Sequence, residues 1–387
     1  MLSSNLRIFK LGNRMNSLIC VVQRIPFILL VIVVSLATAC APRIERVPLA
    51  PGEIGLAYGV PGSQNRSNLD VNVVPGPAIA FSGGGQKGAF GAGVMVGWTA
   101  RGDRPEFAVV TGVSTGAILA LFAFLGPEYD KTIKTLYTRH RTRDLLRRNY
   151  LSGFLGGSAL DSAAPYRALI DLYISDTVIR EIADEADKGR KLLIGSTDLD
   201  GKAPYLWDVT AIAESGHPDA GWLIRDIVQA SSAIPAIFPP VVIPFTDETG
   251  QTGDRLHVDG GITRPFVYRP MVGSDGSRNS NIYVVINEFV ERRFEVVEPN
   301  LRKIATTTTD TFITTSVRDA LRLCGEAARR NGIAWKATAV PSNLQISPKQ
   351  DFDPVYMQAL FERGRTLALA GRAFSPGHGF IGSVRTN

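Results

Sequence analysis

The sequence contains few of the residues that form disulfides or hold metal ions. Only three cysteines and four histidines occur among its 387 residues, and Cys324 is the only cysteine after position 40. A chain that lost its first 40 residues could therefore form no intrachain disulfide. The histidines do not cluster, and the aspartates lack the spacing of a calcium-binding loop. We therefore expect neither a metal ion nor another cofactor.

The sequence also lacks a strong excess of charge beyond its first 40 residues. Its formal net charge is +6. Four positive charges come before position 40 without any acid, at Arg7, Lys10, Arg14 and Arg24. The remainder is near +2, with basic and acidic residues interleaved. Because phosphate binding requires basic residues clustered on one face, we expect no nucleic-acid partner.

An apolar run from Ile25 to Ala39 follows the basic stretch and ends in small residues. It is shorter than the roughly 20 residues of a spanning helix, and the arrangement is typical of a signal peptide, beginning at Met1 or Met15. The run leads directly into Cys40, and Leu36-Ala37-Thr38-Ala39-Cys40 resembles a bacterial lipobox, whose cysteine is diacylated after cleavage. The usual pattern has Leu where Ala37 stands. Ordinary cleavage and a retained anchor are the alternatives.

These features divide the chain into three predicted parts. Residues 1–40 are a lipoprotein-type signal peptide, residues 41–77 a flexible tether rich in Pro, Gly, Ser and Asn, and residues 78–387 a folded domain. Acylation of Cys40 would attach the protein to a membrane without a spanning helix. By the same resemblance, Ala41 favours the outer membrane. We therefore expect a lipid-anchored protein of the cell envelope, at the periplasmic face of the outer membrane.

Apolar segments of strand length alternate with helical segments after position 77. Predicted strands are Ala78 to Ser82, Phe107 to Thr111, Leu192 to Ser196 and Ile282 to Asn287, and predicted helices include Ala89 to Ala100 and Thr115 to Leu125. The alternation predicts an α/β fold whose mostly parallel sheet has helices on its faces. Apolar residues at helical spacing predict another helix near the C-terminus, ending at Asn331-Gly332: Val317, Leu321, Cys324 and Ala328. The turn-rich stretch from Val241 to Asp254 is interpreted as a loop.

The segment Gly112-Val113-Ser114-Thr115-Gly116 follows a β-branched strand and opens an apolar helix. This is the context of a nucleophile elbow, in which the serine occupies a strained turn and its hydroxyl is exposed. Gly112 and Gly116 have no side chains, so strand and helix can approach each other there. The alternative is a tight turn whose serine only caps the helix. We predict Ser114 as the nucleophile.

The segment Ser82-Gly83-Gly84-Gly85-Gln86-Lys87-Gly88 connects the first predicted strand to a helix. The backbone N–H groups of Gly83, Gly84 and Gly85 can converge on an anion there. The segment also fits a dinucleotide fingerprint, but the next strand ends in Thr111-Gly112 without the required acid. A Walker loop is excluded because Ala89 follows Gly88 in place of Lys. We predict an oxyanion hole, in which each donor contributes about 10² to 10³ in rate.

The segment Asp259-Gly260-Gly261 places an acid at the end of a short strand, before a glycine turn. The alternative is an ordinary Asp-Gly turn. His257 lies two residues earlier on the same face, and we interpret it as a packing neighbour rather than a base. A hydrolase triad in the order Ser, Asp, His could use only His378, which stays open as an alternative.

Taken together, four blocks of this sequence resemble the patatin-like phospholipases and occur in that family's order. The blocks are Gly83 to Gly88, the elbow around Ser114, Ala230 to Pro240, and Asp259 to Gly261. The resemblance implies a three-layer α/β/α fold and a Ser–Asp dyad in which Asp259 removes the proton of Ser114 directly. It also matches Lys87 to the basic residue of the family's glycine loop. The family's Asn before Pro265 is missing, which bears on the pocket rim.

We therefore expect a serine acyl hydrolase acting on (phospho)lipid esters, with the membrane and its lipids as partners. Ala230 to Pro240 is expected to pack beside the site, although a place in the core explains it equally well. Two other classes stay open. One is a catalytically weak membrane scaffold with the same fold, and the other is a nucleotide-dependent oxidoreductase that binds its dinucleotide at the Gly83 loop.

Overall fold

The computed structural model describes residues 46–48, 55–66, 74–145, 147–148, 161–235, 237–247, 249–267, 279–291, 294, 296–377 and 380. The strands are β1 Leu56–Ala57, β2 Gly76–Phe81, β3 Val109–Val113, β4 Arg147–Arg148, β5 Asp161–Ser162, β6 Lys191–Asp198, β7 Ala203–Asp208, β8 Val241–Thr246, β9 Thr252–Asp259, β10 Asn279–Ile286, β11 Trp335–Ala339 and β12 Ser375–Pro376. The helices are α1 Gly88–Arg101, α2 Thr115–Leu125, α3 Asp130–Arg139, α4 Thr142–Leu145, α5 Ala164–Tyr173, α6 Asp176–Asp187, α7 Val209–Glu214, α8 Ala220–Ser231, α9 Leu301–Arg330 and α10 Pro354–Leu369.

One mixed sheet contains the described strands other than β4 and β5, which pair with each other. Its order is β1-β8-β9-β6-β3-β2-β10-β11-β12, with β7 also paired to β6. The central strands β6, β3, β2, β10 and β11 are mutually parallel. Strands β8, β9 and β7 add to them in antiparallel fashion. The predicted, mostly parallel sheet is therefore confirmed for the centre of the sheet.

Two apolar cores lie on opposite faces of this sheet because successive strand residues point to opposite sides. In β2, Ile79 and Phe81 pack into one core, with helices α1, α2 and α10. Ala78 and Ala80 pack into the other, under α9. The three-layer α/β/α fold is therefore confirmed. Among the described residues, no helix combines the length and apolar character needed to cross a bilayer.

The prediction of a loop from Val241 to Asp254 is wrong. Strands β8 and β9 form an antiparallel hairpin there, and β9 also pairs with β6. In β8 buried and half-buried residues alternate, with Val241, Ile243 and Phe245 facing inwards. This period of two is the signal of a half-buried strand, and the turn residues around Gly250 obscured it. The hairpin matters because Asp259 ends β9.

The prediction of a flexible tether is also wrong for the described part of residues 41–77. Strand β1 pairs with β8, and Ala57 and Val60 are completely buried. Upstream, the Arg46 guanidinium donates hydrogen bonds to the carboxylates of Asp254 (2.7 Å) and Asp200 (2.6 Å). This part of the chain therefore belongs to the folded domain. The predicted signal peptide and Cys40 lie outside the described residues.

Candidate active site

Ser114 stands at the turn from β3 to α2, and its backbone is held in an unusual conformation. Its φ is 56° and its ψ is −129°, a region that costs L-residues about 1 to 3 kcal/mol. The Ser114 N–H donates to the hydroxyl of Ser231 at 2.9 Å, and that hydroxyl donates to the Gly195 carbonyl at 2.7 Å. The Ser114 side chain caps no backbone group of α2. The elbow is thus fixed while the serine hydroxyl stays available.

The two glycines of the elbow occupy places where a side chain does not fit. A Cβ atom on Gly112 would lie 2.3 Å from the Gly116 carbonyl oxygen, and one on Gly116 would lie 2.5 Å from the Ser82 carbonyl oxygen. Real Cβ atoms do not approach backbone oxygens this closely. These glycines therefore allow α2 to begin directly against β2 and β3, which brings Ser114 close to the glycine loop.

Asp259 meets Ser114 from the other side of the site. The Ser114 Oγ donates a hydrogen bond to Asp259 Oδ2 at 2.6 Å, and the Gly261 N–H donates to Oδ1 at 2.7 Å. A Cβ atom on Gly260 would lie 2.4 Å from the Gly195 carbonyl oxygen, so the turn after the acid requires glycine. Burial raises the pKa of Asp259 to about 6, against the hydrogen bonds from Ser114 and Gly261. A carboxylate with this pKa is a stronger base than an exposed one.

The glycine loop lies against the nucleophile, but its three N–H groups are not equivalent. The Gly83 N–H donates to the Pro265 carbonyl at 3.1 Å, so the prediction that it points to an oxyanion is wrong for this structure. Gly84 and Gly85 adopt φ values of 150° and 55°, and neither N–H is hydrogen-bonded within the described part of the chain. A Cβ atom on Gly83 would lie 3.1 Å from the Ser114 Cβ. Gly83 therefore allows the loop to approach Ser114 closely, and Gly84 and Gly85 have backbone N–H groups without a partner among the described residues.

Asn287, which follows β10, holds the glycine loop in place. Its backbone N–H donates to Ser82 Oγ at 2.8 Å, and its side-chain amide donates to the Ser82 carbonyl at 2.9 Å. Its Oδ1 accepts the Gly91 N–H of α1 at 3.1 Å. The loop passes so close that a Cβ atom on Gly84 would lie 1.8 Å from the Asn287 carbonyl oxygen. Sequence reasoning missed this residue, although a polar residue directly after a buried strand is a usable signal.

Lys87 forms an ion pair with Glu288. The Lys87 Nζ lies 2.6 Å from Glu288 Oε2, and the side chains are 19% and 5% exposed. The family resemblance matches Lys87 to the basic residue of the family's glycine loop. In the structure, the ion pair with Glu288 anchors the loop at this residue. Gly88 follows, and a Cβ atom there would lie 2.4 Å from Thr115 Oγ1. The loop is therefore fixed at both ends.

Replacing Lys87 by methionine is expected to lower the free energy of unfolding by about 3 kcal/mol, because the Glu288 carboxylate would stay buried without an opposite charge. Urea unfolding of the wild type and the variant measures the difference. The matched control is the double variant Lys87→Met/Glu288→Met, which removes the stranded carboxylate and is expected to recover most of the loss. A single variant as stable as the wild type would contradict the anchoring role.

The site opens into a largely apolar cavity. Its empty space is about 830 Å³, a volume that includes open solvent at the mouth. Ser114 and Gly85 lie in its wall together with aromatic and aliphatic side chains, including Phe122, Ile170, Val228, Phe238 and Met357. From the block Ala230 to Pro240, three residues line the cavity: Ser232, Ile234 and Phe238. Ala230 and Ala233 of the same block lie in the core. The block therefore has both of the roles expected of it.

The described histidines do not contact the dyad. His257 is completely buried, its Nδ1 lies 3.0 Å from Ser196 Oγ, and the rings of Tyr205 and Trp207 pack around it. Burial lowers the pKa of His257 to about 3, so it stays neutral and packs, as interpreted from the sequence. His378 lies outside the described residues. The described part of the chain contains no group of three His, Cys, Asp or Glu side chains that could hold a metal ion.

Comparison with known proteins relates the chain to one family. Residues 79–272, about half of the chain, match the Patatin family, described as patatin-like phospholipase. No curated protein sequence matches the chain significantly.

Among solved structures, the chain is similar to VipD from Legionella pneumophila, with 14% identity over 88% of this chain and 73% of that chain and a TM-score of 0.38. It is also similar to full-length ExoU of Pseudomonas aeruginosa, solved with SpcU, with 14% identity over 87% of this chain and a TM-score of 0.30. The match spans 61% of the ExoU complex chain.

Proposed function

The chain belongs to the patatin-like phospholipase family, and from that premise we propose that it is a serine acyl hydrolase that cleaves fatty-acyl esters of lipids through a Ser114–Asp259 dyad. Family membership supports lipid hydrolysis in general. The dyad rests on one observation, the 2.6 Å hydrogen bond from Ser114 Oγ to Asp259 Oδ2. That bond lies at the wall of an apolar cavity, which suits a fatty-acyl chain.

In the first half of the proposed reaction, Ser114 Oγ attacks the ester carbonyl carbon while its proton passes to Asp259. The carbonyl oxygen becomes an oxyanion, which in this proposal is stabilised by the N–H groups of Gly84 and Gly85, neither of which has a partner among the described residues. The ester C–O bond then breaks, and the leaving alkoxide takes the proton from Asp259. The products of this half are an alcohol and an acyl group on Ser114.

In the second half, water attacks the acyl carbon and gives its proton to Asp259. The bond between the acyl carbon and Ser114 Oγ breaks, and the serine recovers its proton from Asp259. A fatty acid is released. One carboxylate thus acts alternately as base and acid, which its raised pKa of about 6 favours near neutral pH.

The membrane attachment stays a prediction, because Cys40 and the residues before it lie outside the described residues. The phospholipid substrate is likewise proposed from family membership and from the cavity. An acylated Cys40 would hold the enzyme beside its substrate, since two or more acyl chains give stable attachment.

The function is tested with the full chain in detergent. We expect a fluorophosphonate probe to label it covalently and expect it to release fatty acid from mixed phosphatidylcholine and phosphatidylglycerol vesicles. Absence of both would contradict the proposal and favour a scaffold with the same fold. Thermal stabilisation by NAD in place of labelling would favour the oxidoreductase alternative, because a ligand that binds the folded form raises its stability.

The pH dependence of hydrolysis follows from Asp259, which can accept a proton only as the carboxylate. Because its pKa is about 6, we expect kcat/KM to rise about tenfold per pH unit below that value and to level off above it. Initial rates with an uncharged ester between pH 4.5 and 8.5 measure the profile, with fluorescence monitoring that the protein stays folded. A flat profile from pH 4.5 to 7 would argue against this base.

A further inference from the structure

Two hydroxyl groups in the cavity have no hydrogen-bond partner in the described structure. They belong to Tyr166 of α5 and Ser232, which directly follows α8. The two residues are 7% and 8% exposed, and both line the cavity that contains Ser114. A buried hydroxyl without a partner destabilises the folded protein, because it has lost its hydrogen bonds to water. Native proteins rarely leave such groups unpaired without a functional reason.

Both hydroxyls belong to the same cavity wall as Ser114. Ser232 follows Ser231, whose hydroxyl accepts the Ser114 N–H at 2.9 Å. Burial raises the pKa of Tyr166, the neighbouring Ser232 hydroxyl opposes this, and the charge of Asp259 adds to it. The Tyr166 and Ser232 hydroxyls are thus close to each other but do not meet with hydrogen-bonding geometry. Ser232 precedes Ala233, whose carbonyl accepts the Asp259 N–H at 3.0 Å.

Packing explains the ring of Tyr166 but not its hydroxyl. The ring lies 5.5 Å from that of Phe238, centre to centre, a contact that phenylalanine would make equally well. The other tyrosines in the cavity wall have partners. Tyr137 donates to the Thr115 carbonyl, and the Tyr173 hydroxyl lies 3.3 Å from the His140 Nε2. A molecule that enters the cavity can therefore supply a polar partner for Tyr166.

We propose that the Tyr166 and Ser232 hydroxyls bind the reacting oxygen that does not belong to the acyl group. This inference rests on the proposed function. In acylation that oxygen is the alkoxide oxygen of the leaving alcohol, and in deacylation it is the oxygen of the attacking water. By microscopic reversibility both occupy the same place, on the side of the acyl carbon that faces Asp259.

The chemistry of a hydroxyl suits both steps, because it can donate one hydrogen bond and accept others. When the ester C–O bond breaks, Tyr166 donates to the oxygen that gains negative charge, while the proton itself comes from Asp259. When water attacks, one of its protons passes to Asp259 and the other is held by the Tyr166 or Ser232 oxygen. No proton is lost from either hydroxyl, so Tyr166 can stay neutral throughout.

The test compares two esters of one acid in the full chain, p-nitrophenyl octanoate and ethyl octanoate. A p-nitrophenolate leaves without help, whereas an ethoxide needs stabilisation as it departs. We expect Tyr166→Phe to lower kcat/KM for the ethyl ester by 10-fold or more beyond its effect on the p-nitrophenyl ester, the loss typical of one donor to a developing charge. Ser232→Ala is expected to change the same ratio in the same direction.

The matched control is Tyr173→Phe, which removes one hydroxyl from the same cavity wall and is expected to change both rates by a common factor. Tyr166→Phe should unfold at the same temperature as the wild type or higher, because it loses an unpaired buried group. Equal effects of Tyr166→Phe on the two esters, or no effect, would overturn the inference. Fluorophosphonate labelling of the wild type separates that result from failure of the proposed function, in which no labelling occurs.

Discussion

Replacing Ser114 by alanine is expected to abolish fluorophosphonate labelling and to reduce ester hydrolysis by about 10⁴- to 10⁶-fold. The variant loses the only atom that attacks the ester in the proposed reaction. What survives is binding in the cavity and the donors of Gly84 and Gly85, which cannot form an acyl intermediate. Gel fluorescence of the labelled protein and titration of released fatty acid measure the two effects.

The matched control for this variant is Ser231→Ala, which keeps the nucleophile and removes the hydroxyl that holds the Ser114 N–H. It is expected to label slowly rather than not at all. Undiminished labelling of Ser114→Ala would place the reactive serine elsewhere and remove the basis of the proposed mechanism. Circular dichroism establishes that both variants fold.

Replacing Asp259 by asparagine is expected to lower kcat by about 10² to 10⁴, the usual contribution of a general base. The amide preserves the shape of the side chain and can still accept the Gly261 N–H, but it cannot take a proton from Ser114. Labelling and hydrolysis are therefore expected to fall together. Mass spectrometry of each sample verifies that the new amide, which precedes Gly260, has not hydrolysed back to the carboxylate.

The same variant is expected to be more stable than the wild type at alkaline pH. The folded-state pKa of Asp259 is raised from 3.8 to about 6, so the folded protein holds its proton more tightly than the unfolded chain. That stabilisation is complete below about pH 4 and is lost as the pH rises through 6. Asparagine cannot ionise, so the variant does not lose this stabilisation as the pH rises. We expect an advantage of about 3 kcal/mol at pH 8 that vanishes near pH 4.

The companion variant His378→Ala separates the dyad from the triad alternative. Under the dyad it is expected to label and hydrolyse as the wild type does, because His378 has no part in the proposed reaction. Loss of labelling in His378→Ala would instead make the histidine the base, with Asp259 as the acid that orients it.

The proposed catalytic residues could be recognised in the sequence because each stands at the end of a strand, with glycines next to it. A β-branched strand followed by Gly-x-Ser-x-Gly predicted the elbow, and helix α2 has the predicted bounds, Thr115–Leu125. Asp259 was recognisable only with the other blocks, since an Asp-Gly pair alone is a common turn. The local sequence pattern was sufficient to predict the structure wherever a short segment determines its own conformation.

What sequence could not provide were contacts between segments far apart in the chain. Asn287 holds the Gly84 loop through contacts between positions about 200 residues apart. No local sequence pattern predicts these contacts. The engagement of the Gly83 N–H by Pro265 is likewise a tertiary contact. The β8–β9 hairpin was missed for a different reason, because turn-forming residues outweighed a short alternation.

The contacts between the N-terminal segment and β9 connect the chain upstream of Arg46 to the strand that carries the proposed base. Arg46 and the Val47 N–H both bind Asp254, and Asp254 lies on the strand that ends in Asp259. Tension applied to the chain upstream of Arg46 is therefore borne by the strand that carries the base. Hydrogen bonds weaken steeply with distance and angle, so a small shift of β9 would loosen Asp259 from Ser114. The way in which the chain upstream of Arg46 is held would thus affect the geometry of the proposed dyad.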